Sequence, residues 1–236
     1  MQFTSSAISL FATLTMLAAE PPPKFTLSPT SESPEIKSLI DSAQSALQSG
    51  RTVSELLMDS AFMPAHSHTR FRELIRNSAS EGPVTLTTAS EPGDLLQVRG
   101  TIRDGAGRPM KKVLVYAYHT SSKGWYSDKA VHFQGQGGDD DHARLFGYMR
   151  TDADGRFEFR TIRPAGYADA ELPSHIHFTL ASADGKQSLV TEIQFDDDPK
   201  LTANFRDHSR KNGFVICKVG CTDPKLQRVT ADFTLR

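Results

Sequence analysis

The spacing of hydrophobic and polar residues changes near residue 84. In residues 34–83 apolar positions recur every three or four residues, which is typical of amphipathic helices. In residues 84–236 apolar and polar residues alternate instead, as in strands that bury one face. The pattern therefore predicts a helical N-terminal segment over 34–83 and a mainly β domain over 84–236.

Capping residues mark the ends of the predicted helices. Ser33 followed by Pro34 is typical of a helix start, and Gly50 is a stop signal. Thr52 and Glu55 have the spacing of a capping box, which predicts a second helix. The apolar faces of these helices have two possible partners: the chain's own sheets, or a second copy in a homodimer.

The β region contains eight short alternating runs separated by turn sequences such as DGAGRP, DADG and ADGK. Many short strands with such turns predict a mainly β fold, an antiparallel β-sandwich. The glycine-rich stretch 124–141 is too long for a routine hairpin loop, so we expect it to be functional or disordered.

The N-terminus has the shape of a secretory signal peptide. An apolar run over 7–19 ends at Glu20 and three prolines, so we expect a signal peptide over 1–19 and a Pro/Ser-rich linker over 20–33. This predicts export to the periplasm or the exterior; without a signal peptide, the chain is expected in the cytoplasm. The run is shorter than the roughly 20 residues of a bilayer span, and no later stretch qualifies, so no membrane span is expected.

Composition narrows the range of partners. The chain has 27 basic and 28 acidic residues, and this balance argues against nucleic-acid binding, which normally requires a basic excess. Cys217 and Cys221 are too few for a structural zinc site. A disulfide between them needs a turn over 218–220, and the sequence leaves that question open.

Two histidines lie one residue apart on a predicted strand. Alternation places His175 and His177 on one face, with Ile176 and Phe178 on the opposite, core-facing side. An HxH pair by itself fits a metal site or a solvated strand face. A zinc hydrolase would also need a carboxylate base, and none stands at a convincing spacing.

Other histidines are weaker candidates for metal ligation. His119 and His142 are conceivable ligands, although His142, which follows three aspartates, is read more simply as solvated. His66 and His68 are interpreted as loop or cap residues.

Tyr126 and Tyr167 are the tyrosines in the most unusual contexts. Each one can also be read as an aromatic at a sandwich edge with its hydroxyl in water. Together with two imidazoles, however, two phenolate oxygens would suit a hard cation such as Fe(III).

Three stretches, in order, carry a family resemblance. They are VRGTIRDGAGRPMKKVLVYAYHTSSKGWYSD, GYMRTDADGRFEFRTIRPAGYADAELPSHIHFTL and LVTEIQFDDDP. Over residues 98–199 the chain resembles the intradiol ring-cleavage dioxygenases, the family of protocatechuate 3,4-dioxygenase and catechol 1,2-dioxygenase. The resemblance implies an antiparallel β-sandwich, with a small aromatic diol and O2 as substrates.

The resemblance also implies a non-haem Fe(III) held by Tyr126, Tyr167, His175 and His177, with a hydroxide completing the shell. Tyr167 and His177 would be axial, and the other two equatorial. A catechol dianion would displace Tyr167 and the hydroxide. Both atoms of O2 would then enter the product, and cleavage between the hydroxylated carbons would give a cis,cis-muconate-type diacid.

The chain departs from the family pattern at positions close to the implied ligands. Leu172 stands where better-known members have an arginine, three residues before the first histidine. Arg163 is expected to replace that cation if it points inward, and to be a surface cation otherwise. Glu192 and Gln194 in TEIQF differ from the family's TQxYF. These departures motivate an alternative: a secreted, transthyretin-like binding module that keeps the fold without turnover.

Overall fold

The computed structural model describes residues 26–28, 31–223 and 226–236. The expected signal peptide, 1–19, lies outside these ranges, as does most of the expected linker. Within them, no helix combines the length and the hydrophobicity needed to cross a membrane.

The helices begin where the capping residues predict. The Ser33 side chain accepts a hydrogen bond from the Ile36 amide, and both halves of the Thr52–Glu55 capping box are formed. The helices are α1 Pro34–Gln48, α2 Val53–Met58, α3 Thr69–Asn77, α4 Gly138–His142 and α5 Ala203–Asn212, with a 3₁₀ turn over Ser60–Ala65.

The strands alternate between buried and accessible residues, as the sequence pattern predicts. In chain order they are β1 Thr26–Leu27, β2 Val84–Thr85, β3 Leu95–Asp104, β4 Leu114–His119, β5 His132–Phe133, β6 Leu145–Arg150, β7 Arg156–Ile162, β8 His175–Ala181, β9 Ser188–Phe195, β10 Val215–Cys217, β11 Gly220–Asp223, β12 Leu226–Thr230 and β13 Phe233–Leu235. The helices α4 and α5 and the strands β1, β5, β10 and β11 were not predicted.

Eleven of these strands form two large sheets, which confirms the predicted sandwich, and β1 pairs separately with β5. One has the order β10-β9-β8-β4-β6, and the other β11-β12-β3-β7-β2, with β13 also pairing with β3. The central pairs are antiparallel, as predicted. The strands β2, β10, β12 and β13 instead pair in parallel with their neighbours, so the sheets are mixed.

Aromatic and aliphatic side chains fill the space between the sheets. Phe178 from one sheet packs against Phe157, Phe159 and Phe233 from the other, with ring centroids 5.1 to 6.0 Å apart. Burial of this apolar surface is the main driving force for folding. Ile176 and Phe178 are both fully buried, as predicted for the core side of their strand.

The N-terminal helices pack on the chain's own sandwich. Ile40, Leu56 and Phe71, one from each of α1, α2 and α3, join the same buried cluster as the sheet residues. Of the two partners left open by the sequence, the chain's own sheets therefore cover these faces. The homodimer remains a prediction.

No disulfide joins Cys217 and Cys221. Cys217 is buried on β10, whereas Cys221 is exposed on β11, so the two side chains lie in different environments.

Candidate metal centre

Strand β8 carries His175 and His177 on the outer face of the five-stranded sheet. The neighbouring strands supply the side chains beside them. Tyr118 of β4 lies opposite His177 and stacks on its ring at 4.7 Å, and Glu192 of β9 lies opposite on the other side. The strand pairing thus fixes a row of polar and aromatic groups across three strands.

Tyr126 reaches the site from the long loop after β4. Its amide donates to the Val131 carbonyl at 3.1 Å, and its side chain is 1% exposed. Gly124, two residues earlier, has φ of 78°, and a Cβ there would lie 2.2 Å from the Gly166 carbonyl oxygen. Only glycine allows this close approach, which packs the Tyr126 loop against the segment that carries Tyr167.

Tyr167 lies in the loop between β7 and β8. A Cβ on Gly166 would lie 2.0 Å from the Leu172 carbonyl oxygen, so this loop is tightly closed on itself. The Ser174 hydroxyl donates to the Pro164 carbonyl at 2.6 Å and ties the two ends together. The loop therefore holds Tyr167 above the two histidines.

The structure brings together all four predicted ligands. The Tyr126 and Tyr167 hydroxyl oxygens are 3.0 Å apart, and the Tyr167 oxygen is 3.2 Å from His177 Nε2. The His175 ring lies 4.9 Å from the Tyr167 ring and 4.7 Å from the His177 ring. His175 Nδ1 is 2.7 Å from the Pro173 carbonyl, an acceptor only, so Nδ1 carries the proton and Nε2 is left as the ligand atom.

Burial controls the ionisation of these groups. It raises the pKa of Tyr167 to about 12 and that of Tyr126 well above its ordinary value. Burial, with a smaller contribution from His175, lowers the pKa of His177 to about 3. The imidazole is thus neutral, the form that binds metals, whereas two ionised phenols require a nearby cation.

These residues fit a ferric ion by their chemistry and spacing. Ligands that share one ion at bonds of about 2.0–2.2 Å lie roughly 3 Å apart, which matches the measured separations among the two phenols and His177. Two phenol oxygens and two imidazole nitrogens are donors that Fe(III) accepts. The set therefore suits the Fe(III) site implied by the family resemblance.

Glu192 also belongs to this region, although it was not predicted as a site residue. One carboxylate oxygen and one nitrogen from each of His175 and His177 all lie within 4.8 Å of one another. Its Oε2 is 3.8 Å from His177 Nδ1, and its Oε1 accepts a 2.6 Å hydrogen bond from Gln194 Nε2. The signal that could have identified Glu192 from the sequence is its position in TEIQF, on the strand that pairs with the strand of His175 and His177.

His132 is a second neighbour that sequence reasoning missed. Its ring meets Tyr167 edge-on at 4.8 Å. Nδ1 lies 2.8 Å from an Asp139 oxygen, and Nε2 lies 3.4 Å from an Asp169 oxygen. Asp139 is itself fixed by the Phe133 amide at 2.7 Å, so His132 links the long loop to the Tyr167 loop.

The structure does not bring Arg163 to the site, which corrects its assignment as a catalytic residue. Its guanidinium donates to both Asp197 oxygens, at 2.6 and 2.9 Å, and to Gln227 at 3.1 Å. It also lies over the Phe195 ring, 4.5 Å from the centroid. These partners hold the Arg163 guanidinium away from the cavity beside Tyr167, His175 and His177. Leu172, at the position of the family arginine, lines that cavity.

The remaining candidate histidines are held by other contacts. His119 Nε2 bonds to Thr161 Oγ1 at 2.7 Å, inside the sandwich. His142 was predicted to be solvated, but it is buried. Its ring nitrogens contact the carbonyl oxygens of Ser67 and Gln136. His66, the C-cap residue of the 3₁₀ turn, and His68, the N-cap residue of α3, are both cap residues, as predicted, and His66 is also fully buried.

A family model described as Dioxygenase matches residues 70–236. Catechol 1,2-dioxygenase from Acinetobacter baylyi is 32% identical over 62% of this chain and 50% of its own length. The protocatechuate 3,4-dioxygenase beta chain from Burkholderia cepacia is 32% identical, covering 55% of this chain and 53% of that protein. The chain spans about half the length of these curated relatives.

Solved structures agree with the sequence comparison. Catechol 1,2-dioxygenase from Acinetobacter sp. ADP1 superposes with a TM-score of 0.52 and 27% identity, covering 66% of this chain and 57% of that one. The Pseudomonas arvilla C-1 enzyme gives a TM-score of 0.52 at 25% identity, with the same coverage.

Proposed function

Because the chain belongs to the intradiol ring-cleavage dioxygenase family, we propose that it is a non-haem Fe(III)-dependent enzyme that cleaves a catechol-type ring between its two hydroxylated carbons. Both atoms of O2 enter the product, a cis,cis-muconate-type diacid. The observation that carries this proposal is the convergence of Tyr126, Tyr167, His175 and His177, with measured donor separations of 3.0 and 3.2 Å.

When bound, a ferric ion supplies Lewis-acid binding and orientation of the diol. Tyr126, His175 and His177 are the residues that would hold it throughout. Tyr167 differs from Tyr126 because it lines the cavity beside the histidines and Tyr126 does not. Its hydroxyl oxygen is 3.2 Å from His177 Nε2, which also lines that cavity. Tyr167 would therefore be the residue that gives way to a diol oxygen entering from the cavity.

The cavity is small and partly apolar, with a volume of about 190 Å³. Leu172 and Pro173 line one part of its wall. Another part is lined by Phe205, which belongs to α5, and by Phe214, which precedes β10. These side chains exclude water from the ring of a bound diol, which strengthens electrostatic interactions within the site.

The alternative, a transthyretin-like binding module without turnover, is not favoured. Leu172 motivates it, but a module without chemistry has no need of four donor groups, two buried and two partly buried, in such close proximity. Burying phenols and imidazoles costs free energy unless they are paired or bound to an ion.

The test is a visible spectrum of the purified protein after ferric loading. We expect a red-brown colour from tyrosinate-to-iron charge transfer, close to one iron per chain, and ring-cleaved product on addition of a catechol in air. A colourless protein that retains no iron and stays inactive on catechols after loading would contradict the proposal.

A further inference from the structure

The cavity beside the metal centre contains one carboxylate and no cationic side chain of lysine or arginine among the described residues that line it. The carboxylate is Glu192, whose side chain is 14% exposed. A ring substituent on the diol must therefore be accommodated next to a negative charge.

Hydrogen bonds hold Glu192 in place. The Ser209 hydroxyl lies 2.6 Å from Gln194 Oε1, which turns the amide nitrogen of Gln194 toward Glu192 Oε1, also at 2.6 Å. Glu192 Oε2 is 3.8 Å from His177 Nδ1, beyond hydrogen-bond distance. The charge is thus fixed at the wall without being neutralised by the histidine.

Three cationic side chains from neighbouring segments of the chain have other partners. Arg163 is held by Asp197, and Lys200 pairs with Glu171 at 3.3 Å. Arg206 donates to the Asp196 carbonyl at 2.7 Å. Leu172, which stands where better-known relatives have arginine, adds an apolar surface instead.

We propose that the substrate is a catechol whose ring substituent is cationic, such as a protonated amine, and that Glu192 selects it against carboxylated catechols. The inference rests on the proposed function. An ammonium group gains attraction from Glu192 in a site of reduced solvent access, whereas a carboxylate meets a like charge and finds no lysine or arginine among the described residues of the lining, where His208 is a further titratable group.

The experiment compares the affinity of three catechols that carry a carboxymethyl, an ethyl or an aminoethyl group at the same ring position. Binding is followed without O2, by the change in the visible spectrum of the iron-loaded protein and by calorimetry. We expect the aminoethyl compound to bind most tightly and the carboxymethyl compound most weakly, differing by roughly tenfold or more.

Two variants test whether Glu192 is the cause. Glu192→Gln keeps the shape of the side chain and should reduce the preference for the aminoethyl over the ethyl compound to about twofold or less. Leu172→Arg adds a cation to the wall and should shift the preference toward the carboxymethyl compound. Glu171→Gln is the matched control, because that carboxylate is 92% exposed and pairs with Lys200 outside the cavity.

The outcomes separate this inference from the proposed function. If no catechol binds or is cleaved, the proposed function fails. If catechols are cleaved but the carboxymethyl compound binds as tightly as the other two, or if Glu192→Gln leaves the preference for the aminoethyl compound as large as in the parent protein, the inference alone is overturned.

Discussion

The outer face of the five-stranded sheet carries two polar clusters, one around Arg72 and one formed by Tyr126, Tyr167, His175 and His177. A row of stacked rings joins them: Tyr116 lies 5.4 Å from Tyr118, which lies 4.7 Å from His177. Both clusters are largely buried, so burial alone does not distinguish a functional site from a structural one.

The Arg72 cluster pairs its donors with fixed acceptors. The guanidinium is 4% exposed and donates to the carbonyls of His66, Ala143 and Asp140, at 2.6 to 3.2 Å, and to the Tyr116 hydroxyl. It also lies 3.8 Å from the centroid of the Phe146 ring. Such a network attaches α3 to the segment around α4.

In the metal centre the polar atoms are directed at one another instead. Two hydroxyls and an imidazole nitrogen share contacts of 3.0 and 3.2 Å, and the hydrogen bonds between them leave acceptor capacity unused. Hydroxyl and imidazole groups that converge with unused lone pairs can bind a metal cation. The comparison predicts that substitutions in the first cluster cost stability, whereas those in the second cost metal binding.

The largest effect is expected for the ligands themselves. His175→Ala should abolish the visible band and Tyr167→Phe should weaken and shift it, since Tyr126 remains; each should reduce ring cleavage at least a thousandfold, because each removes a donor to the ion. The free energy of unfolding of the metal-free protein should change by about 1 kcal/mol or less, since no large cavity opens in the core. Spectra and denaturant titrations measure the two effects.

Tyr148→Phe is the matched control for the tyrosine variant, because Tyr148 stacks on Tyr116 at 4.4 Å in the same face but lies outside the four-residue set. It should keep the band. A Tyr167→Phe protein with an unchanged spectrum would show that Tyr167 is not a ligand.

The next effect concerns stability at Arg72. Arg72→Met should lower the free energy of unfolding by about 2–4 kcal/mol, because it leaves buried carbonyls without donors and removes the contact with Phe146. Urea titration of the metal-free protein gives this value. The folded fraction should still load iron and cleave catechols.

Arg76→Met, on an exposed position of the same helix, should change the stability by less than about 0.5 kcal/mol. Equal losses in the two variants would mean that the buried network contributes nothing beyond a surface arginine.

The two clusters also differ in how far the sequence predicts them. Strand alternation was enough to place His175 and His177 on one face and Ile176 and Phe178 in the core. Tyr126 and Tyr167 are 41 positions apart, on loops closed by glycines, so only the family resemblance joined them. The Arg72 network was not predicted, because no pattern within α3 shows that its partners lie about 70 residues downstream.

Other misses have similar causes. His132 and His142 lie in a glycine- and aspartate-rich loop with no periodicity, and their environment depends on how that loop folds back on the sheet. Helix α5 is polar over most of its length, so its sequence lacks an apolar stripe. Its contributions near the cavity, Phe205, His208 and Ser209, are visible only in three dimensions.

A smaller effect is expected at His132, which touches the metal centre without being a ligand. His132→Phe keeps a ring beside Tyr167 but removes the contacts with Asp139 and Asp169. We expect ferric affinity to fall about tenfold and the visible band to shift, as is common when a group that orients a ligand is lost. Iron titration measures the affinity. An unchanged affinity and band position would show that His132 does not position Tyr167.

The smallest effect is a pH dependence of stability in the Arg72 cluster. His66 is fully buried there, and burial, together with the charges of Arg72 and Arg144, lowers its pKa from 6.5 to about 4. The unfolded chain takes up this proton near pH 6.5 and the folded chain only near pH 4. Between these values the unfolded state binds more protons, so stability is complete above pH 6.5 and is lost as the pH falls toward 4.

Lowering the pH from 7 to 5.5 should therefore cost about 1 kcal/mol through His66 alone. The metal-free protein is used, so that iron release does not contribute, and urea titrations at the two pH values give the difference. Other buried histidines add to the total, and for this reason the informative quantity is the change caused by His66→Asn, which cannot titrate. That variant should lose about 1 kcal/mol less than the parent chain between the two pH values, whereas His208→Asn, at an exposed position of α5, should match the parent. If His66→Asn shows the parent's full pH dependence, His66 in the folded protein accepts a proton beside Arg72. The Arg72 cluster would then not be a closed network, and this difference between it and the metal centre would not hold.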